Sequence, residues 1–469
     1  MMHRLVMVIA AVLLSFSQLS AASRPNIVYL LADDLGYTDV GFHGSEIKTP
    51  NIDKLAAAGA RLEAFYVQPV CSPTRAALMT GRYPMRHGLQ VGVVRPWAQY
   101  GLPLEERTLP QALQEAGYFT AICGKWHLGH FQRAYLPTNR GFSHQYGHYN
   151  GALDYFTHDR DGGFDWHRND QVCRDEGYTT TLLGDEAVRL IEQQDASRPF
   201  FLYVPFNAPH SPLQAPAEYL DKYREIADQK RQTYAAMVNC VDDQVGRIVA
   251  ALEKRGLAGN TLVAFSSDNG GPLGSGATNG SLRAGKATLY EGGIRVSAFA
   301  NWPGQIAPGT VVTEPLHIVD WYPTLLKLAG ASPEQKLPLD GRDAWQTIAA
   351  GKPTPHEEIL HNTTPGNGAI RVGKWKLVVN GNRPEDWNET PAQGDNQAKK
   401  GKKNKGAAAD SLELFNIAED PYEKTNLASQ QPEKLRELQS RLDAYSRAAV
   451  PPKSAPKAAD FQVPKVWGE

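Results

Sequence analysis

Asn26-Ile27-Val28-Tyr29-Leu30-Leu31-Ala32 is an unbroken apolar run, and Asp33-Asp34 follows it at once. A continuous run of this kind, rich in residues that favour β structure, reads as a central strand buried on both faces. Binding sites in open α/β sheets form at the carboxyl ends of such strands. Two adjacent carboxylates at a strand end are costly unless a cation or hydrogen bonds neutralise them. A solvated turn over Asp33-Asp34-Leu35-Gly36 is the alternative reading.

The same arrangement recurs downstream. A strand over 118–123 delivers Lys125 and His127 at its carboxyl end. A second, over 200–206, leads into Asn207-Ala208-Pro209-His210-Ser211-Pro212, where prolines stiffen the loop around His210. A third, over 261–267, delivers Asp268-Asn269-Gly270-Gly271. Helices are expected over 51–60 (capped by Asn51), 110–115, 179–194, 229–255 (closed by Gly256) and 318–329, with a further strand over 294–300. The resulting fold class is α/β, a large mixed and mostly parallel sheet flanked by helices. A linker region with a short helix covers 338–355. Strands within 368–379 and over 412–416, and a helix over 432–448, then predict a smaller C-terminal α+β domain on an antiparallel sheet. The expected division is a leader over 1–22, a catalytic domain over 23–340 and the smaller domain over 341–469. Its basic loop at 383–410, with Lys399, Lys400, Lys402, Lys403 and Lys405, reads as a solvated segment or as a handle for a polyanionic polymer.

Cys71 stands in Val70-Cys71-Ser72-Pro73-Thr74-Arg75-Ala76-Ala77-Leu78-Met79-Thr80-Gly81. Ser72 suits an N-cap, Pro73 a first helical residue and Gly81 a stop. Cys71 then sits just outside a helix N-terminus, where unpaired N–H groups and the dipole attract an anion. Arg75, about one turn in, folds back to the same place. A buried structural thiol is the ordinary reading of a lone cysteine. The oxygen-only set Asp33, Asp34, Asp268 and Asn269 suits a hard cation such as Ca²⁺ or Mg²⁺. With Arg75, Lys125 and Lys286 (in the Gly-rich loop 282–293) it makes a pocket for a compact anion with several oxygens. The loops over 137–173 are dense in His, Tyr and Asp, and His144, His148 and Asp154 are candidate substrate contacts.

Composition narrows the class. The 469 residues carry a net charge of −1, with 42% apolar and 21% charged side chains. This is an ordinary globular balance and excludes general attraction to nucleic acid or to an anionic membrane. His3 and Arg4, the apolar run Leu5 to Leu14 and Ser20-Ala21-Ala22 read as a signal peptide, and the run is too short to span a bilayer. Export to a periplasm or beyond the cell is the expectation. In that compartment Cys71, Cys123, Cys173 and Cys240 allow two disulfides, while the lack of any Cys-x-x-Cys argues against zinc.

The run Cys71-x-Pro73-x-Arg75, followed by an apolar pair and Thr80-Gly81, resembles the first signature of the type I, formylglycine-dependent sulfatases. Gly117 to His127 resembles the second, departing at Cys123, where another small or apolar residue is usual. The runs Gly124 to Gly129 and Leu136 to Phe142 are similar to the arylsulfatase B-like, N-acetylgalactosamine-4-sulfatase-like branch, and the resemblance extends over about residues 25 to 450. It implies the alkaline-phosphatase-like fold. It implies that a formylglycine-generating or sulfatase-maturing enzyme oxidises Cys71 to formylglycine, which leaves three cysteines and at least one free thiol. One Ca²⁺ would be bound by Asp33, Asp34, Asp268, Asn269 and the modified Cys71. The hydrated aldehyde would attack sulfur, with Arg75, Lys125 and Lys286 stabilising the sulfuryl oxygens. His210 would protonate the leaving sugar oxygen, and His127 would deprotonate the second hydroxyl to expel sulfate. The implied substrate is galactose or N-acetylgalactosamine sulfate in a polysaccharide, carrageenan-like or a glycosaminoglycan. A phosphohydrolase or phosphonate monoester hydrolase on the same fold and a non-catalytic binder of sulfated glycans are the competing readings.

Overall fold

The computed structural model describes residues 24–195, 197–364, 366–382, 411–454 and 456–469; the expected leader over 1–22 and the basic loop at 383–410 lie outside the described residues. Five parallel strands form the middle of a ten-stranded sheet, in the order Thr261–Ser267, Asn26–Ala32, Phe200–Pro205, Phe119–Cys123, His144–Gly147. Ala298–Asn301 runs antiparallel beyond Thr261–Ser267, followed by Ala60–Leu62 and Thr310–Val312. Short antiparallel strands His167–Arg168 and Gln171–Val172 close the other edge. Every residue of Asn26–Ala32, Phe200–Pro205 and Thr261–Ser267 is buried, which is why these runs show no polar alternation. Ile27, Tyr29 and Leu31 pack with the helices Cys71–Thr80 and Trp321–Leu328 on one face. Val28, Leu30 and Ala32 pack with Thr179–Gln193 and Gln229–Lys254 on the other. The strand's period of two thus feeds two separate cores.

Two expected elements shift. The helix expected over 51–60 spans Pro50–Ala57, begins after Thr49 and gives way to the strand Ala60–Leu62. Proline at the first helical position needs no N–H partner, so Pro50 starts the helix and Asn51 lies inside it rather than capping it. The strand expected over 294–300 is a helical turn, Glu291–Ile294, followed by the strand Ala298–Asn301.

A second sheet is wholly antiparallel: Glu358–Thr364, Asn367–Val372, Trp375–Val379, Leu412–Asn416. Its first strand is not legible in the sequence, because only Ile359 and Leu360 in it are strongly apolar. Leu360, Ile370, Leu377, Leu438 and Leu442 join the same core as Ile27 and Tyr29, so the smaller sheet and the helix Pro432–Ala448 seal onto the larger body. A buried ion cluster adds to that seam. Lys376 Nζ lies 2.9 Å from Glu291 and 2.8 Å from Glu423, and all three side chains are buried. Removing one partner of such a cluster leaves buried charge uncompensated. Lys376→Ala is therefore expected to cost about 3–5 kcal/mol, read as a lowered thermal midpoint; an unchanged midpoint would show that the cluster contributes nothing.

Candidate active site

The register decides the site. Ala32 pairs with Ser267, so the next residues on the two strands, Asp33 and Asp268, stand side by side. Leu31 pairs with Pro205, and Asp33 N donates to Ala208 O at 3.1 Å, which brings the His210 loop alongside. Lys125 N donates to Pro205 O at 2.9 Å and sets the end of the next strand. Asp34 bends back with φ 71, a left-handed conformation that a non-glycine residue holds only when its surroundings fix it. Its N–H reaches Asp268 Oδ1 at 3.2 Å and its Oδ1 accepts from Asn269 Nδ2 at 2.7 Å.

Cys71 enters from the other side. It is the first residue of the helix Cys71–Thr80, after Val70, and Gly81 ends the helix in a left-handed conformation. The expectation that Ser72 caps this helix is corrected. Ser72 Oγ donates to His127 O at 2.9 Å and accepts from Val94 N at 3.0 Å, so its hydroxyl ties two loops to the helix start. Cys71 Sγ lies 3.4 Å from Asp33 Oδ1 and 3.5 Å from Asn269 Oδ1. Burial, with the charges of Asp268 and Asp33, pushes its thiol well above the usual range, so an unmodified Cys71 is a neutral thiol and a poor nucleophile.

Cations ring the carboxylates. Arg75 holds Asp268 Oδ2 from Nη2 at 2.8 Å and from Nε at 3.1 Å, reaches Asp33 at 3.5 Å, and donates from Nη1 to Lys125 O at 3.0 Å. Most of its guanidinium is thereby used inside the protein. Lys125 pairs with Asp33 Oδ2, Lys286 Nζ with Asp34 Oδ1 at 2.9 Å, and His210 Nε2 faces Asp34 Oδ2 at 3.6 Å. Burial raises the Asp33 carboxyl, with Asp268 adding to the rise. Burial also pushes on Asp268, but Arg75, Lys125 and Lys286 outweigh it and hold that group low. Ligand atoms of Asp33, Asp34, Cys71 and His210 all lie within 4.8 Å of one another. Buried carboxylate and amide oxygens in one place are the donors a hard divalent cation takes.

His127 also has a left-handed backbone, φ 59. Its Nε2 meets Val94 O at 3.1 Å. A carbonyl only accepts, so Nε2 carries the proton and Nδ1, buried and without a partner, keeps its lone pair. Burial first, then Lys125 and Arg75, hold the ring well below its ordinary pKa, so it is a neutral acceptor. The sequence reading missed Gly151, where a Cβ would stand 2.4 Å from His127 Cε1 and 2.5 Å from Nε2. Gly151→Ala is expected to push the imidazole aside and lower kcat on the order of 100-fold; kcat equal to that of the parent would show the ring's position to be unimportant. No periodicity or motif marks Gly151. Only the close approach of its backbone to His127 identifies it. For His210, Nδ1 donates to Ser211 O at 2.6 Å, and Tyr155 OH bonds the carbonyls of Asn207 and His210 at 2.6 and 2.7 Å.

The three expected substrate contacts, His144, His148 and Asp154, are placed as follows. His144 pairs with Ala121 at the start of its own strand, away from the carboxyl ends, and its Nε2 lies 2.7 Å from Glu186, which also binds Arg168 and Arg189. His148 is fully buried and parallel to the Trp166 ring at 6.3 Å. Asp154 caps a turn through the N–H groups of Phe156 and Thr157 and accepts from Gln214 at 2.6 Å. Hydrogen bonds within the fold engage His144 and Asp154, whereas both ring nitrogens of His148 are buried without a partner. His144→Ala should cost about 1–3 kcal/mol of stability while kcat/KM changes less than about twofold; a larger kinetic loss would return His144 to the site. The two disulfides that the cysteine count allows do not form, since Cys71, Cys123, Cys173 and Cys240 are all free thiols.

Comparison with known proteins identifies the family. A family model described as Sulfatase matches residues 25–331. Arylsulfatase J of Mus musculus is 40% identical, the match covering 93% of this chain and 78% of that one. N-acetylgalactosamine-6-sulfatase of Mus musculus is 36% identical over 75% of this chain and 71% of that one. The crystal structure of Ps i-CgsB in complex with k-i-k-neocarrahexaose superposes with a TM-score of 0.80 at 34% identity, covering 92% of this chain and 94% of that one. The phosphonate monoester hydrolase of Agrobacterium radiobacter, at 20% identity and a TM-score of 0.64, shares the fold alone. The chain belongs to the sulfatase family of sulfuric ester hydrolases.

Proposed function

We propose that the enzyme is exported, matured at Cys71 to formylglycine by a dedicated modifying enzyme, and removes sulfate from a sulfated polysaccharide. The substrate class is galactose or N-acetylgalactosamine sulfate, in a carrageenan or a glycosaminoglycan. The observation that carries the reading is the meeting of Asp33, Asp34, Cys71 and His210 within 4.8 Å, beside Lys125, Lys286 and His127. Likeness to Ps i-CgsB, whose crystal complex holds neocarrahexaose, and to N-acetylgalactosamine-6-sulfatases supports the carbohydrate class.

Asp33, Asp34, Asp268 and Asn269, with residue 71, would hold one Ca²⁺. Bound there, the ion would supply Lewis-acid stabilisation of developing charge and acidify the nucleophile. The helix start aims residue 71 into the pocket, and formylglycine at that position would put a nucleophilic oxygen where the thiol lies. Lys125 and Lys286 present ammonium groups to the sulfuryl oxygens. Arg75, engaged by Asp268, Asp33 and the Lys125 carbonyl, acts by positioning them, which narrows the role expected of it from sequence. His210 presents Nε2 as the proton donor to the leaving sugar oxygen, and His127 presents Nδ1 as the base that serves sulfate release. The test is parallel kinetics on a sulfate and a phosphate ester of one alcohol, with the intact mass of the mature chain. Preference for sulfate together with loss of the Cys71 thiol supports the reading; preference for phosphate, or an intact thiol in active enzyme, overturns it.

A further inference from the structure

His210 lies in the loop between the strand Phe200–Pro205 and the helical turn Ala217–Leu220. A bracket formed by residues 154–155 and 178–179 grips that loop. Tyr155 is buried, and its hydroxyl lies 2.6 Å from Asn207 O and 2.7 Å from His210 O. A hydroxyl has one proton and both carbonyls only accept, so the two oxygens share it. Tyr155 N donates to Gln214 Oε1 at 2.9 Å, and Gln214 Nε2 donates to Asp154 Oδ2 at 2.6 Å. Tyr178 OH donates to Gln214 O at 2.8 Å, and its ring stacks on Tyr155 with centroids 5.3 Å apart. Thr179 N donates to Tyr155 O at 2.9 Å, and Thr179 Oγ1 meets the Asn207 side-chain amide at 3.2 Å.

The imidazole is tied to the same loop. His210 N donates to Asn207 O at 3.1 Å and Nδ1 to Ser211 O at 2.6 Å, while Nε2 faces Asp34 Oδ2 at 3.6 Å. The Tyr155 hydroxyl thus grips the His210 peptide, and the peptide that follows grips the ring. Asp154 also finds its use here, as the acceptor that sets Gln214 under the Tyr155 backbone.

We infer that Tyr155 is a positioning residue that acts through His210, fixing the imidazole at the distance from the leaving oxygen that proton transfer needs. The inference rests on the reading of His210 as the group that protonates that oxygen. In that step the S–O bond to the leaving group breaks and its electron pair stays on the leaving oxygen. The sulfuryl group passes to the oxygen of residue 71. The proton on His210 Nε2 moves to the leaving oxygen, and the Nδ1 proton stays bonded to Ser211 O. Proton transfer works only within hydrogen-bond reach, so a loop displaced by about 1 Å loses rate where the leaving group needs the proton. A sugar alkoxide or a phenoxide needs it. A 4-nitrophenoxide, a much weaker base, leaves with little help.

The test measures kcat and KM of the full-length mature enzyme and of Tyr155→Phe, His210→Ala and the double variant, on phenyl sulfate and 4-nitrophenyl sulfate. Tyr155→Phe should lower kcat on phenyl sulfate about 10- to 100-fold, with KM within about twofold, and lower kcat on 4-nitrophenyl sulfate less than about threefold. In the His210→Ala background the same substitution should cost less than about twofold on phenyl sulfate, because the group it serves is gone. Equal losses on both esters, or losses that multiply in the double variant, overturn the inference and leave Tyr155 a packing residue. Gln214→Ala spares the hydroxyl and covers the case in which Tyr155→Phe does not fold. It should show the same leaving-group bias at smaller size, and no bias counts against the inference. Amide exchange over 207–214 reads the latch apart from turnover: faster exchange in Tyr155→Phe supports it, and unchanged exchange overturns it. A parent that cleaves no sulfate ester ends the reading of the pocket and the inference with it. A parent that cleaves both esters, with no bias in Tyr155→Phe, ends the inference alone.

Discussion

Cys71→Ala is expected to lower kcat for a sulfate ester by about 10⁴-fold or more, with the fold intact. The side chain removed is small and its Sγ contacts are long, 3.4 and 3.5 Å, so truncation costs roughly 1 kcal/mol of packing. The position itself cannot be replaced. It is the side chain that the helix Cys71–Thr80 directs between Asp33 and Asn269 at the carboxyl ends of two central strands. Circular dichroism and the thermal midpoint should match the parent while turnover disappears. Turnover by Cys71→Ala within tenfold of the parent would remove residue 71 from the chemistry and, with it, the assignment of formylglycine there.

Arg75→Ala is expected to damage both stability and rate. Arg75 is fully buried and meets Asp268 through two nitrogens, with Asp33 and the Lys125 carbonyl beside them. Its loss strands a buried carboxylate, at a cost of about 3–5 kcal/mol, a large share of the roughly 5–15 kcal/mol by which domains are stable. The strand-end carboxylates and Lys125 then lose their common brace, and kcat/KM should fall on the order of 10²–10³-fold. Arg75→Lys keeps the charge but not the planar fork, so it should recover part of the stability and little of the rate. A thermal midpoint unmoved by Arg75→Ala would mean that Asp268 is neutralised by Lys125 and Lys286 without it.

These two positions show how far the chain is legible by eye. Both stand in Cys71-x-Pro73-x-Arg75, and the acids and amide stand directly after strand-like runs that are mostly apolar. A strand buried on both faces shows no polar alternation to mislead, and the residues just past its end must lie at the sheet's carboxyl edge. Thr261–Ser267 and Pro432–Ala448 accordingly fall where pattern places them. Ser72 shows the limit. Local rules make it a cap, yet its hydroxyl serves Val94 and His127, 22 and 55 residues away.

Sequence alone determined the parallel α/β sheet, the residues at its strand ends and the Cys71 motif, because periodic burial and the residue after a strand are local properties. Tertiary structure decided the pairing of Ala32 with Ser267 that brings Asp33 to Asp268, the tautomer of His127 through the Val94 carbonyl, and the close passage of Gly151. It also tied His144 to Glu186 and Asp154 to its own turn. Those outcomes depend on which distant group reaches a given donor, acceptor or ring first, and nothing in a residue's immediate neighbours encodes that.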